Sequence, residues 1–224
     1  MNQNATPCPE TANLLLQQAA DILRGGGLIV YPTETFFGIG CRYDNEEAIS
    51  RVFRGKRRLL AMPLPLIVAD FEQVESVASP APELWDDVVD LSSRFWPGPL
   101  TLVLSARRHI SPLLTGGSGN IAIRISAHPV ARELAALTAC PLVSSSAHIS
   151  GRPAVTEAAD LNQELVGSVD MVLDLPPRPM GGKASTIIRP LGGRKLSLLR
   201  AGALESERLS GAGYRLELLD SEQG

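Results

Sequence analysis

The stretch LIVYPTETFFGIGC, residues 28–41, sets the frame for the chain. Leu28-Ile29-Val30-Tyr31 is an apolar run of strand length, and Pro32, which has no backbone N–H, stops it. Hydroxyls at Thr33 and Thr35, one carboxylate at Glu34, and glycines at 38 and 40 follow. The glycines allow close backbone approach, so the loop suits a ligand. It also suits an ordinary strand-to-loop transition with Thr33 or Thr35 capping a turn.

Upstream, residues 13–24 place Leu15, Leu16, Ala19, Ala20, Ile22 and Leu23 at helical spacing, and Gly25-Gly26-Gly27 ends that helix. Downstream, Asn45 suits a helix N-cap, with Glu46 and Glu47 in the first turn and Ile49, Val52 and Phe53 on the apolar face. Residues 64–69 predict a second strand, and Asp70 caps a helix over 71–77. A helix over 82–95 turns through Trp96-Pro97-Gly98-Pro99 into a strand at 100–104. Further strands are expected at 121–125, 142–145, 169–173, 185–188 and 196–199. Further helices are expected at 129–137, from Thr156 through Leu165, and near 204–209. Without a clean βαβ period, the expected fold is α/β: one domain over 10–210, a twisted mixed parallel and antiparallel open sheet flanked by helices. The termini, 1–9 and 211–224, are expected to be flexible.

The 224 residues, 44% hydrophobic and 20% charged, fit a soluble globular chain that needs no staple to hold its core. No apolar run approaches the roughly 20 residues of a membrane span, so no membrane partner is expected. Residues 1–10 are polar with two prolines, so no secretory signal is expected. Cys8, Cys41 and Cys140 are odd in number and far apart, which predicts no disulfide framework, no metal site and a cytoplasmic location. A net charge of −3 argues against coating nucleic acid with the whole surface.

A local basic site is nevertheless present. Arg51, Arg54, Lys56, Arg57 and Arg58 repel one another unless an anion lies near. A solvated helix end accounts for such a run too. Here the run leads through Pro63 into a buried strand, a common ligand position in α/β folds, which favours a bound phosphate or carboxylate. Ser144-Ser145-Ser146-Ala147-His148-Ile149-Ser150-Gly151-Arg152 offers hydroxyls and backbone N–H groups as an anion cradle. It lacks Gly-x-Ser-x-Gly, and no carboxylate is identifiable to pair with His148, so a serine hydrolase is not indicated. Gly116-Gly117-Ser118-Gly119 matches neither a dinucleotide-binding nor a P-loop pattern. Arg124 and Arg200 lie within or just after strands and need partners, whether a structural salt bridge or a ligand. His128 reads as a turn or cap residue.

Taken together, the segments YPTETFFGIGC (31–41), Lys56-x-Arg58 with Pro63-Leu64, FWPGPLTLVL (95–104), IAIRISAHP (121–129), SSSAHISGRP (144–153), ASTII (184–188) and LLRAGA (198–203) resemble the YrdC family, in order and spacing across roughly 10–203. The resemblance implies a YrdC/RibB-like fold in its short, single-domain form. It implies a threonylcarbamoyl-adenylate synthase making the precursor of N6-threonylcarbamoyladenosine in tRNA. L-threonine and bicarbonate or CO2 give a carbamate that attacks the α-phosphorus of ATP and releases pyrophosphate, with Mg2+ accompanying ATP. By the same resemblance Thr33, Arg124, Ser144 and Ser185 hold threonine. Lys56, Arg58, Asn120, Ser146, Arg152 and Arg200 hold ATP, with Lys56 and Arg58 supplying the catalytic charge neutralisation. It further implies tRNA threonylcarbamoyl-transferase proteins as downstream partners and possible contact with tRNA. The alternative is a YrdC-like paralogue that binds double-stranded RNA, tRNA or nucleotide in a basic cleft without catalysis. Carbamoyl transfer in hydrogenase maturation, the third reading, is disfavoured by the lack of added segments. Three positions depart from the family pattern: His148 replaces an Asn, Leu59-Leu60-Ala61-Met62 replaces a more polar stretch, and Phe36-Phe37 replaces Val-Tyr.

Overall fold

The computed structural model describes residues 7–217. A helix, α1 (Pro9–Arg24), opens with a proline whose missing N–H costs nothing in a first turn. The chain then forms β1 (Ile29–Pro32), β2 (Phe37–Gly40), α2 (Glu46–Lys56), β3 (Leu66–Ile67), α3 (Phe71–Val77), α4 (Trp85–Phe95) and β4 (Leu100–Ser105). It continues with α5 (Pro112–Thr115), β5 (Asn120–Arg124), α6 (Pro129–Leu137), β6 (Leu142–Val143) and β7 (Ser145–Ser146). Last come α7 (Gln163–Val166), β8 (Met171–Val172), β9 (Thr186–Gly192), β10 (Lys195–Arg200), α8 (Ser206–Gly211) and β11 (Arg215–Glu217). The caps read from sequence are in place: Asn45 accepts from the Ala48 N–H and Asp70 from the Gln73 N–H, both at 2.9 Å.

The mixed α/β architecture is as expected, but the strands divide between two sheets. The smaller has the order β7-β2-β1-β8 and the larger β11-β10-β9-β4-β5-β3-β6. The segment read as a loop after Pro32 turns back as β2, pairing Ile29 with Gly40 and Pro32 with Phe37. Gly40 permits this, because a Cβ there would lie 1.7 Å from the Val143 carbonyl oxygen.

One core packs α2, α3 and α4 against Leu100, Leu102, Ile121, Ile123 and Ile188 of the larger sheet. A second packs α1 and α6 against Ile29, Tyr31 and Ile67. The helix expected from Thr156 through Leu165 is instead a 3-10 turn, Ala158–Asp160, and the short α7. Asn162 accepts from the Glu164 and Leu165 N–H groups and so starts a new helix after an extended Leu161. Parts of the termini expected to be flexible, 1–6 and 218–224, lie outside the described residues. Within the described part Pro9 begins α1, and Arg215–Glu217 runs parallel to β10. Among the described residues no helix is long and apolar enough to cross a membrane.

Candidate active site

Strand alternation builds the site floor. In β5, Ile121 and Ile123 point into the core, so Asn120, Ala122 and Arg124 face the other way. Thr101 and Val103 of β4 and Ile187 and Arg189 of β9 share that face. Opposite them stand the 33–36 turn, Gly38 and the serines of β7, with Arg58 and Met62 at one side and Leu199 and Arg200 at the other. The cleft has a volume of about 510 Å3.

Of the residues singled out from sequence, Thr33, Arg58, Asn120, Arg124, Ser144, Ser146, Ser185 and Arg200 all line this cleft. Two do not. Arg152 is exposed on the loop beyond, and Lys56 is buried behind the wall. The Lys56 ammonium donates to the Ser146 carbonyl and, at 2.8 Å, to the His148 carbonyl, so it holds the serine loop in shape from below. Burial, reinforced by the Arg58 charge, pulls Lys56 down to about 7. His148 is pulled down to about 4 by burial and by Lys56 and Arg58, so it is neutral at pH 7.

The inner end is rich in hydroxyls. Thr33 Oγ1 donates to the Phe36 carbonyl at 2.7 Å. Thr101 and Ser185 hydroxyls lie 2.9 Å apart, and Arg200 donates to the Ser185 carbonyl at 2.8 Å and hydroxyl at 3.0 Å. Arg124 forms a buried ion pair with Glu34, whose other oxygen accepts from Ser126. Glu34 is not itself part of the lining, so the guanidinium stands between it and the cleft.

The electrostatics are one-sided. Arg58, Arg124, Arg189 and Arg200 line the cleft, and no Asp or Glu does. Such a surface takes anions: a carboxylate, a phosphate chain, or both. Metal-ligand chemistry is thin by comparison, since the described residues contain no cluster of three or more His, Cys, Asp or Glu able to hold an ion.

Three of these features go beyond the sequence reading, two of them without a local signal. The Glu34–Arg124 pair joins residues ninety positions apart. Thr101 gains its place only through pairing of β4 with β9. Arg189 carried a usable signal, because Ser185, Ile187 and Arg189 alternate onto one face once β9 is extended past Ile188.

A family model for the Sua5/YciO/YrdC domain, described as telomere recombination, matches residues 21–202. A threonylcarbamoyl-AMP synthase of Pyrococcus abyssi is 36% identical over 191 residues, covering 85% of this chain and 55% of that protein. One from Pseudomonas fluorescens is 36% identical over 182 residues, covering 81% of this chain and 95% of that protein. The crystal structure of Pyrococcus abyssi Sua5 complexed with L-threonine superposes with a TM-score of 0.82 at 34% identity, covering 90% of this chain and 58% of that one. The chain thus spans a little over half the length of the archaeal relative and nearly all of the pseudomonad one. With the family model covering most of its length and relatives above 30% identity, the chain belongs to the Sua5/YciO/YrdC family.

Proposed function

We propose that this chain condenses L-threonine, bicarbonate or CO2, and ATP into threonylcarbamoyl-AMP and pyrophosphate. The observation that carries the reading is the cleft itself: four arginines, no carboxylate, and a hydroxyl-lined inner end. Relatives along most of its length bear the synthase name.

The threonine nitrogen bonds to the carbon of CO2 and releases a proton to solvent. An oxygen of the resulting carbamate then bonds to the α-phosphorus as the bond to the departing pyrophosphate breaks. Such a displacement asks the protein for positioning and charge neutralisation rather than a nucleophile. Arg124 offers its free N–H groups to the threonine carboxylate while Glu34 steadies the other side. Thr33, Ser144 and Ser185 supply hydroxyls around the amino acid, and Arg58, Ser146, Asn120 and Arg200 face the nucleotide. Magnesium enters with ATP as part of the substrate. The lining offers hydroxyl and amide oxygens but no carboxylate, which suits an ion carried by phosphate oxygens rather than a protein-held one.

A cleft of about 510 Å3 is the size of a small-molecule site, which supports the synthase over a duplex-RNA module. The same reading puts the chain in the cytoplasm and hands its product to tRNA threonylcarbamoyl-transferase proteins. The test is pyrophosphate release from Mg-ATP, with and without L-threonine and bicarbonate. Release requiring both is expected, and ATP turnover indifferent to threonine sinks the reading.

A further inference from the structure

Three of the four cleft arginines already have a use within the fold. Arg124 pairs with Glu34, Arg58 Nη2 donates to the Pro63 carbonyl at 3.0 Å, and Arg200 donates to Ser185. Arg189 is different. Its Nε is buried with no hydrogen-bond partner, and it joins none of the ion pairs among the described residues. Its register partner on β10 is Ser197, whose hydroxyl is also buried and unpartnered. Ser197 is fully buried behind the cleft, whereas Arg189 is part of its lining, so of the two Arg189 is the group that something entering the cleft can meet.

The register locates this pair relative to the amino-acid end. Ile187 lies beside Thr101, and continuing the β4–β5 pairing sets Thr101 beside Arg124. Arg189, two residues on, is one row outward, about 7 Å along the strands, next to Val103 and Ala122. Arg58, whose Nε is likewise buried without a partner, lines the same cleft.

We propose that Arg189 is a phosphate contact of the nucleotide, which with Arg58 clamps the phosphate chain over the outer half of the sheet floor. The proposal rests on the synthase reading for the identity of the nucleotide. With a carboxylate at Arg124, the next row outward is where a phosphate joined to the carbamate has to lie. A guanidinium there meets phosphate oxygens through paired N–H donors, a geometry that lysine reproduces only as a point charge.

The test measures binding of ATP, inorganic pyrophosphate, adenosine and L-threonine to the whole chain by calorimetry, in the wild type, Arg189→Ala and Arg189→Lys. Arg189→Ala is expected to weaken ATP and pyrophosphate about 10-fold or more, the scale of one hydrogen bond to a charged group. Adenosine and threonine should be unchanged, and Arg189→Lys should recover part of the loss. Equal ATP and pyrophosphate affinity in wild type and Arg189→Ala overturns the proposal and leaves the synthase reading standing. Equal losses for all four ligands overturn it too, by marking Arg189 as structural. A wild type that binds pyrophosphate through Arg189 but not ATP supports the contact and sinks the synthase. A wild type that binds neither overturns both.

Discussion

Glu34 lies behind Arg124, both side chains less than a tenth exposed, with one carboxylate oxygen on the guanidinium and the other on the Ser126 hydroxyl. The pair ties the turn after β1 to the end of β5, and so joins the small sheet to the large one at the amino-acid end of the cleft. Its Coulomb gain is offset by the cost of desolvating two charges, so its value is geometric.

Breaking one side of the pair exposes that cost. Glu34→Ala leaves Arg124 buried without its counterion and is expected to destabilise the fold by about 3–5 kcal/mol in urea denaturation. Glu34→Gln keeps a hydrogen-bond acceptor and should lose less stability while raising the KM for threonine. Wild-type stability in Glu34→Ala would show that the pair contributes nothing.

Lys56 acts from beneath the site. Lys56→Met keeps an apolar stem but leaves the Ser146 and His148 carbonyls without their donor, at about 1–3 kcal/mol for each buried group. Amide exchange over residues 146–150 should speed up, and pyrophosphate release should fall with it. Full activity with unchanged exchange would remove Lys56 from the site's support.

The pH dependence follows from His148. Its imidazole titrates near 4 when folded against an ordinary 6.5. Between those values the unfolded chain binds more protons, so stability falls as pH drops from about 6.5 to about 4 and this contribution levels off below. His148→Asn removes the titration, so its Tm should fall less than the wild type's over the same window. Parallel curves would contradict the burial seen here.

Gly40→Ala would set a Cβ 1.7 Å from the Val143 carbonyl oxygen, backbone that cannot move aside without parting β2 from its neighbours. A loss beyond about 4 kcal/mol is expected, read as a failure to fold or a large drop in Tm. Gly38→Ala, whose Cβ would meet the Ser144 hydroxyl at 3.3 Å, should fold and instead crowd the cleft.

Local chemistry was legible in the sequence. The caps at Asn45 and Asp70, the proline-opened α6 and the apolar stripe of α1 depend on neighbours within a turn or two, so spacing alone fixes them. Motifs with strong side-chain chemistry also pointed to a common place, and eight of the ten residues singled out for binding line one cleft. Tertiary structure decided the rest. The division into two sheets, the pairing of Pro32 with Phe37 and the break at Leu161 depend on partners far along the chain or on competition between caps. Lys56 shows the limit most clearly: its residue type and place at the end of a helix fit an anion ligand. Only packing reveals that its ammonium turns inward to two carbonyls, because burial leaves it no water and those oxygens are what it can reach. Arg124 likewise declared its need for a partner in sequence, while the identity of that partner, Glu34, waited on the fold that brings the β1 turn against β5.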